Sequence, residues 1–533
     1  MQVLLEDHVR YDTSVLWKLH DAYYERAGIS AWDEAIPSSA TSNYAVARQH
    51  AWMMLVMAQS RSDPEAPFTV LELGSGAGRC AANVLAALAH DCGAEGRHLL
   101  ERIRYLLSDF APSVARQACA HPRLAHHVAE GRVIPAWMDI AQPARPRALE
   151  RSGEGDDTTV GEPLEGPIDL VVANYVACVT RTRQFQCDRG HWRELWMRLV
   201  MEVALPEGDM TPPTSEAMWA LCHERLLDPD FFKEQLTPRL SWTPLEGELM
   251  EAFEDPRHAQ VLARTVEGLE QATLSYPVGF MELVLDLGQH LGQPEGCPLL
   301  ITDFGHVDRR EHTGLKRPNQ KMYGNTLNHG VAFILWDAVA QLQGGFCVRT
   351  HDMLAAAHKA LLIPPTVADA QRSTWIQAFE ALHADQDPGQ DLLDFQLAAQ
   401  ALERLDRPRD AARFWRRCLG IEPRRPDIHV YMARACIEAH LSAPAMDSLV
   451  EGTKTIAMSE QEWLDDVDFD YELGRTYVLE GDLDQAIAHY RRSLDREPKP
   501  STWLRVAWLQ LARGRFAPAF AAARSAQALK PDH

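Results

Sequence analysis

The sequence predicts a chain in two parts, an α/β domain built on a doubly wound sheet and an all-α C-terminal region of repeated helix pairs. Three observations support this prediction. The apolar run Phe68–Leu73 leads into Gly74, Gly76 and Gly78, and then into a stretch of helical composition. Three further apolar runs of strand length follow, and each ends in a polar residue. Beyond about residue 390, similar residues recur roughly every 33 positions, a spacing typical of stacked helical repeats.

The composition describes a globular protein without membrane features. The 533 residues are enough for two or three domains, and 46% hydrophobic with 24% charged residues is typical of soluble proteins. The sequence has no apolar run of membrane-spanning length and no signal-peptide pattern, so we expect a cytoplasmic protein without a membrane partner. Its ten cysteines are scattered without C-x-x-C pairs, which favours reduced thiols and predicts no metal site. The net charge of −22 argues against nucleic acid as a partner.

The glycine run predicts a binding site for a nucleotide-like ligand, because a strand, a glycine turn and a helix let such a ligand approach the backbone. The spacing is G-x-G-x-G with Glu72 two residues before Gly74, which differs from the G-x-G-x-x-G of dinucleotide enzymes. In this respect the sequence resembles motif I of the class I S-adenosylmethionine (SAM) methyltransferases, which have a Rossmann-like, seven-stranded sheet. The resemblance implies SAM as cofactor and S-adenosylhomocysteine (SAH) as product. It also implies a binding loop of Glu72, Gly74, Gly76 and Gly78.

Polar residues at the ends of the next three strands complete the predicted donor site. The run Arg104–Asp109 ends in an acid, which at the tip of the second strand is suited to hydrogen-bond both hydroxyls of a ribose. Asp139 ends the third run and stands where this enzyme class contacts the adenine amino group. Asn174 and Tyr175 end the fourth run, at the sheet edge where ligands bind. We expect Asn174 to contact the cofactor and, with Tyr175, to orient the methyl acceptor.

The remaining strands of a seven-stranded sheet come later in the chain. Pro298–Asp303 is the predicted fifth strand, and Gly344–His351 and His358–Pro364 supply the last two. Between them we expect a polar loop at residues 321–329 and a helix at residues 331–342.

Three residues of this later part are candidate general bases: Asp303, His306 and His329. An amine, hydroxyl or guanidinium acceptor usually loses a proton, whereas a carboxylate acceptor needs no base. Each histidine has an alternative role as a surface or packing residue.

The other segments are predicted to be accessory. Residues 1–60 are expected to form a helical N-terminal cap, followed by the methyltransferase-like domain at residues 61–370. Within that domain, the polar residues 145–166 are expected to be a surface loop and residues 195–275 a mostly helical insertion over the substrate pocket.

The N-terminal region also resembles the MidA-like branch of these methyltransferases. Thr41 and Ser42 match a T-S segment that closes over the methyl donor in that family. The alternative is that Ser42 or Asn43 caps the next helix.

A second MidA-like segment departs from the family's pattern. That family has N-E-x-x-D-x-x-P-x-x-x-F after the fourth strand, and Asn174 and Phe185 match it. Tyr175 and Cys178 stand where its acids would be. The arginine-methylating chemistry of that family is therefore not carried over to this chain.

The C-terminal region, residues 385–533, resembles tetratricopeptide (TPR) repeats. One copy of the pattern is set by Leu473, Gly474, Tyr477, Ala486, Tyr490 and Pro498, and another by Trp503, Ala519, Ala526 and Pro531. A single repeat cannot bury its faces alone, so we expect the copies to stack into a small solenoid. The resemblance implies a concave surface suited to a peptide or protein partner.

Three functions are consistent with these features. The first is a SAM-dependent methyltransferase that acts on a peptide or protein recruited by the repeats. The second is a small-molecule (natural-product) methyltransferase whose repeats form a homodimer or dock it on a biosynthetic assembly. The third is an inactive scaffold with the methyltransferase fold, and the intact set of Glu72, the glycines and Asp109 argues against it.

Overall fold

The computed structural model describes residues 2–31, 39–151, 158–203, 215–228, 230–317, 320–352, 357–384, 392–456, 464 and 467–530. The chain divides into two compact units, Met1–Gly389 and Gln390–His533, and each has hydrophobic clusters of its own. Among the described residues, no helix is long and apolar enough to cross a membrane.

The first unit mixes strands and helices along the chain. Its strands are β1 (Gln2–Arg10), β2 (Phe68–Leu73), β3 (Ile103–Asp109), β4 (Val133–Trp137), β5 (Arg147–Arg151), β6 (Thr158–Pro163), β7 (Leu170–Asn174), β8 (Arg183–Asp188), β9 (His191–Glu202), β10 (Leu236–Pro244), β11 (Gln271–Tyr276), β12 (Leu299–Asp303), β13 (Gly305–His306), β14 (Gln320–Tyr323), β15 (Thr326–His329), β16 (Val331–Ala332), β17 (Phe346–Arg349) and β18 (His358–Ile363). Its α-helices are α1 (Val15–Ala27), α2 (Ser39–Ser42), α3 (Tyr44–Gln59), α4 (Arg79–His90), α5 (Gly93–Arg102), α6 (Pro112–Cys119), α7 (Ala125–Ala129), α8 (Ser215–Glu224), α9 (Phe231–Gln235), α10 (Pro256–Val266), α11 (Val278–Leu285), α12 (Leu287–His290), α13 (Ile334–Gln343) and α14 (Asp369–His383).

A nine-stranded sheet of described residues forms the centre of this unit, in the order β17-β18-β12-β7-β2-β3-β4-β5-β6. Neighbouring strands from β12 to β4 are parallel, whereas β18 runs antiparallel to both β12 and β17. Every residue of β2, β7 and β12 is buried, because hydrophobic clusters cover both faces of the sheet. The predicted Rossmann-like, seven-stranded sheet is confirmed as β2, β3, β4, β7, β12, β17 and β18.

The two extra strands of this sheet correct the expected surface loop at residues 145–166. β5 pairs antiparallel with β4, and β6 pairs with β5, with Leu149 opposite Val160. The hairpin forms because the polar segment still contains the β-branched residues Thr158, Thr159 and Val160, and because β4 offers an open edge. Part of the predicted loop, residues 152–157, lies outside the described residues.

A second, antiparallel sheet corrects two further expectations. It has the order β1-β9-β8-β11, with β10 also paired to β9. The expected helical cap at residues 1–60 therefore contains β1, and the expected mostly helical insertion at residues 195–275 contains β10 and parts of β9 and β11. In β9 the buried residues Leu195, Met197, Leu199 and Met201 alternate along the strand. Trp196 and Val200 lie between them, and these apolar residues hide the period of two in the sequence.

The segment between β12 and β17 corrects one expectation and shifts another. The expected loop at residues 321–329 is the hairpin β14–β15, in which Gln320 pairs with His329. The helix expected at residues 331–342 is α13, which starts at Ile334 and ends where Gly344 adopts a left-handed conformation with φ of 71°.

The second unit consists of consecutive helices that pack on one another, which confirms the helical repeats predicted from the sequence. They are α15 (Leu392–Arg404), α16 (Pro408–Ile421), α17 (Pro426–Glu438), α18 (Ser442–Thr455), α19 (Phe469–Glu480), α20 (Leu483–Arg496), α21 (Pro500–Ala512) and α22 (Phe516–Leu529). Packing explains why Gly474 of the repeat pattern is glycine, because a Cβ atom there would lie 2.7 Å from ring atoms of Tyr490.

Candidate active site

The loop between β2 and α4 requires glycine at three positions. Gly74, Gly76 and Gly78 have positive φ angles of 61°, 50° and 76°. A Cβ atom on Gly78 would lie 2.7 Å from the carbonyl oxygen of Ala118, and one on Gly74 would lie 3.1 Å from Cγ2 of Val176. Glycine therefore lets the loop pack tightly and brings the backbone at the N-terminus of α4 within reach of a ligand.

Two buried carboxyl groups stand beside this loop. Glu72 accepts a hydrogen bond of 2.6 Å from the Tyr105 hydroxyl, and burial raises the pKa of Glu72 to about 7. Asp109 accepts one of 3.1 Å from the backbone N–H of Ala111. Burial also raises the pKa of Asp109 to about 7, although nearby backbone N–H groups act in the opposite direction. Both groups therefore change charge close to neutral pH.

A cavity of about 330 Å³ opens at the carboxyl edge of the central sheet. Parallel strands end at this edge, so Gly74, Asp109, Asn174 and Tyr175 come together although they are far apart in sequence. Asp139 lines the same cavity two residues beyond the end of β4. Five residues predicted from strand ends therefore share one cavity. A cavity of similar volume, about 310 Å³, lies at the opposite ends of β12 and β18, away from these residues.

A smaller cavity of about 30 Å³ adjoins the first through shared lining residues. Thr41, Ser42 and Glu72 line it together with Ser75 and Arg79. Thr41 and Ser42 belong to the short helix α2, and the cap of α3 is Asn43, whose side chain accepts a hydrogen bond from a backbone N–H. Capping and cavity lining thus fall on different residues of the Thr41–Asn43 segment.

Two buried oxygen atoms at these cavities have no hydrogen-bond partner among the described residues. They are the Ser75 hydroxyl oxygen and the Asn174 amide oxygen, and both side chains are buried. Buried polar atoms are rarely left unpaired in a folded protein, because the desolvation cost is not recovered. Both atoms are therefore available to a polar ligand.

Tyr175 occupies a strained position directly after β7. Its φ angle is 59°, which is uncommon for a residue other than glycine. Its hydroxyl oxygen accepts a hydrogen bond of 2.6 Å from the amide nitrogen of Asn328 on β15. The hairpin β14–β15 therefore fixes the ring in the cavity wall.

The three candidate bases from the later part of the chain lie outside the linings of both cavities. Asp303 is fully buried and accepts hydrogen bonds from the backbone N–H groups of Cys178 and Phe304. His306 is paired with Glu311 at 3.1 Å.

His329 is likewise committed to packing. It shares a 2.9 Å hydrogen bond with Tyr11 and stacks on Trp17, and burial lowers its pKa to about 3. Its alternative role as a packing residue is therefore the one that the geometry supports. No group of three or more His, Cys, Asp or Glu residues could hold a metal ion in the part of the chain that the structure describes.

No profile of a known protein family matches this chain, and no curated protein matches it. Solved structures do match. One is the structure of a COG1565 superfamily member from Burkholderia thailandensis, a candidate methyl transferase bound to S-adenosyl-homocysteine. It is 13% identical to this chain, and the match covers 72% of this chain and 86% of that one with a TM-score of 0.40. MamA is 16% identical over 30% of this chain and 87% of its own, with a TM-score of 0.23. These likenesses are remote.

Several lining residues escaped the sequence reasoning. Helix α1 contributes His20, Asp21 and Tyr24 to the wall of the larger cavity. The helix itself was predictable, but no local pattern indicates that it packs over the sheet edge. Ser75 and Arg79 lie inside the glycine motif, so their spacing alone could have drawn attention to them.

His20 is a poor candidate for a base at neutral pH. Its Nδ1 accepts a hydrogen bond of 2.9 Å from the backbone N–H of Leu327. Its Nε2 lies 3.0 Å from the carbonyl oxygen of Val179, so this nitrogen carries the proton and donates it. Burial lowers the pKa of His20 to about 4, which keeps the ring neutral.

The residues present fit SAM. The larger cavity has the volume for a nucleoside, and Asp109 and Asp139 are among the carboxyl groups at its lining. The smaller cavity offers a cation, Arg79, beside the N-terminus of α4, where a carboxylate is stabilised. The unpartnered oxygen of Asn174 can accept from an ammonium group.

Proposed function

We propose that this protein is a SAM-dependent methyltransferase that yields SAH. The observation that supports this proposal most directly is the convergence of Gly74, Asp109, Asp139 and Asn174 on one cavity, each at the end of a different strand. A structural glycine turn would not require polar residues from three other strands to meet at the same place.

In the proposed donor site, Asp109 accepts hydrogen bonds from the ribose hydroxyls and Asp139 from the adenine amino group. Gly74, Gly76 and Gly78 leave room beside the backbone for the remainder of the donor. Thr41, Ser42 and Glu72 close the smaller cavity around its amino-acid end, with Asn174 at the junction between the two cavities.

SAM supplies an electrophilic methyl group when it is bound. The chain's own residues align the acceptor and exclude water, which are the main requirements of such a transfer. Asn174 and Tyr175 are the proposed orienting residues, because both border the larger and the smaller cavity. The hydrogen bond from Asn328 holds the Tyr175 hydroxyl in a defined place.

The acceptor in this proposal is a peptide or protein that binds the helical repeats. What supports it is the second unit, since stacked helix pairs offer an extended surface for a polypeptide. The alternative is a small-molecule acceptor, with the repeats used for dimerisation or docking. The experiment described next distinguishes the two.

The test is incubation of the protein with methyl-labelled SAM and an extract, followed by sizing of the labelled species. Label in protein supports the proposal, label only in small molecules supports the alternative, and SAH binding by calorimetry with no label anywhere favours the inactive scaffold. Asp109→Ala is the matched control, because it should lose both binding and label. Absence of SAH binding in the unaltered protein would refute the methyltransferase assignment.

A further inference from the structure

Two adjoining helices of the second unit expose a row of large apolar side chains. On α21, Leu504, Trp508 and Leu511 are 48%, 70% and 44% exposed, and their spacing places them on one side of the helix. On α22, Phe516 and Phe520 are 72% and 67% exposed, one turn apart. We call these five residues the end face. Scattered exposed apolar residues are normal in proteins, but three aromatic rings at this exposure are not.

The end face is separate from the core of the same helices. That core contains Ile487, Tyr490 and Leu494 of α20, with Val506 of α21 and Ala522 of α22. None of the five end-face residues belongs to it. In repeat proteins a face of this kind packs against another helix pair, which offers two helices of matching shape.

We propose that the end face binds the end face of a second copy of this chain, which forms a symmetric homodimer. A second copy offers a matching surface, namely another helix pair with the same exposed rings. Three aromatic side chains of roughly 150–250 Å² each, about two-thirds exposed, offer roughly 400 Å² of apolar surface. With the two leucines, two copies would bury on the order of 1,100 Å², above the roughly 1,000 Å² that a specific interface needs.

The charges at the turn between α21 and α22 do not oppose this pairing. Arg513 and Arg515 both form ion pairs with Asp484 of the same chain. The charges of these two arginines are therefore already balanced within each copy. This proposal does not depend on the proposed enzymatic activity.

The experiment is sedimentation equilibrium of the full chain over a hundredfold range of concentration. The unaltered protein is expected to approach twice its 59.9 kDa mass. The variants Trp508→Glu and Phe520→Glu, each placing a charge in the end face, are expected to sediment as monomers. The matched control is Leu405→Glu, at a position that is 68% exposed and lies outside the end face, and it should remain dimeric.

Each outcome decides for or against the end face. A monomeric unaltered protein at every concentration overturns the proposal. A dimer that survives both substitutions, or that the control disrupts equally, also overturns it. Far-UV circular dichroism and SAH binding are measured on each variant. Because the replaced side chains are exposed, the circular dichroism spectrum and the SAH affinity should both be unchanged. If a charged variant fails to fold, Trp508→Ser and Phe520→Ser are the milder substitutions to test.

Discussion

Replacing Asp109 by asparagine should make donor affinity nearly independent of pH. In the proposed site the ionised carboxylate accepts hydrogen bonds from both ribose hydroxyls, and protonation converts one of its oxygens into a donor. Burial raises the pKa of Asp109 to about 7, so the group is mostly protonated at pH 6 and mostly ionised at pH 8. The affinity of the unaltered protein for SAH should therefore rise with pH, whereas Asp109→Asn should bind weakly throughout.

The size of the effect follows from this pKa. The ionised fraction rises from roughly one-tenth at pH 6 to roughly nine-tenths at pH 8, so the apparent Kd should fall about tenfold, or about 1.4 kcal/mol. The stability of the ligand-free protein should change in the opposite direction. A raised carboxyl pKa means that the folded state holds its proton more tightly than the unfolded state, so stability is lost as pH rises from about 4 to about 7. At pH 8 the loss is at most about 4 kcal/mol, and Asp109→Asn should raise the Tm of the free protein.

The assay is isothermal titration with SAH at pH 6, 7 and 8, together with thermal unfolding of the free protein. Glu72→Gln is measured in parallel, because the pKa of Glu72 is also raised to about 7 and its share of the pH dependence must be separated. Asp139→Asn is the control that should lose affinity yet keep the pH dependence. If Asp109→Asn retained the full tenfold change, Asp109 would not be the group that couples pH to binding.

Three other predictions concern the loop, the donor's amino-acid end and the repeats. Gly78→Ala should lower the free energy of unfolding by roughly 2–4 kcal/mol, because the backbone is left-handed there and the new Cβ would approach the Ala118 carbonyl oxygen. Gly131 is equally left-handed but has open space around it, so Gly131→Ala should lower the free energy of unfolding by less when both variants are measured by urea titration. Arg79→Gln should weaken the binding of SAH about tenfold or more, as measured by calorimetry, but should leave the affinity for 5′-methylthioadenosine unchanged, because that ligand has no carboxylate. Equal losses of affinity for both ligands would contradict a contact between Arg79 and the carboxylate. A truncated protein of residues 1–389, once shown to be folded, should keep its affinity for SAH but have a raised KM for a protein acceptor. An unchanged KM in steady-state kinetics would refute the proposal that the repeats recruit the acceptor.

The central sheet could be predicted because its signals are local. The parallel strands are short apolar runs, of which β2, β7 and β12 are buried along their whole length, and the glycine loop follows β2 within a few residues. The positions of Gly74, Asp109 and Asn174 at strand ends were enough to bring them together, because the carboxyl ends of parallel strands meet at one edge. That part of the site needed no knowledge of packing beyond the order of the strands.

The second sheet could not be predicted in the same way, since its partners are distant. β1 pairs with β9, so that Gln2 lies opposite Glu202, and no local pattern in either segment indicates the other. In β9 the alternation of buried residues is blurred by apolar residues on the other face, which made the segment resemble part of a helix.

The sequence by itself determined the seven predicted strands of the central sheet, the glycine loop and the acids at the strand ends. Only the tertiary structure decided which other side chains face the cavity. It placed His20 and Asp21 of α1 in the wall, and it turned Asp303 and His329 away into buried hydrogen bonds. The physical reason is that strand order fixes where backbones end, whereas the direction of a side chain depends on the helices and hairpins that pack against it from distant parts of the chain.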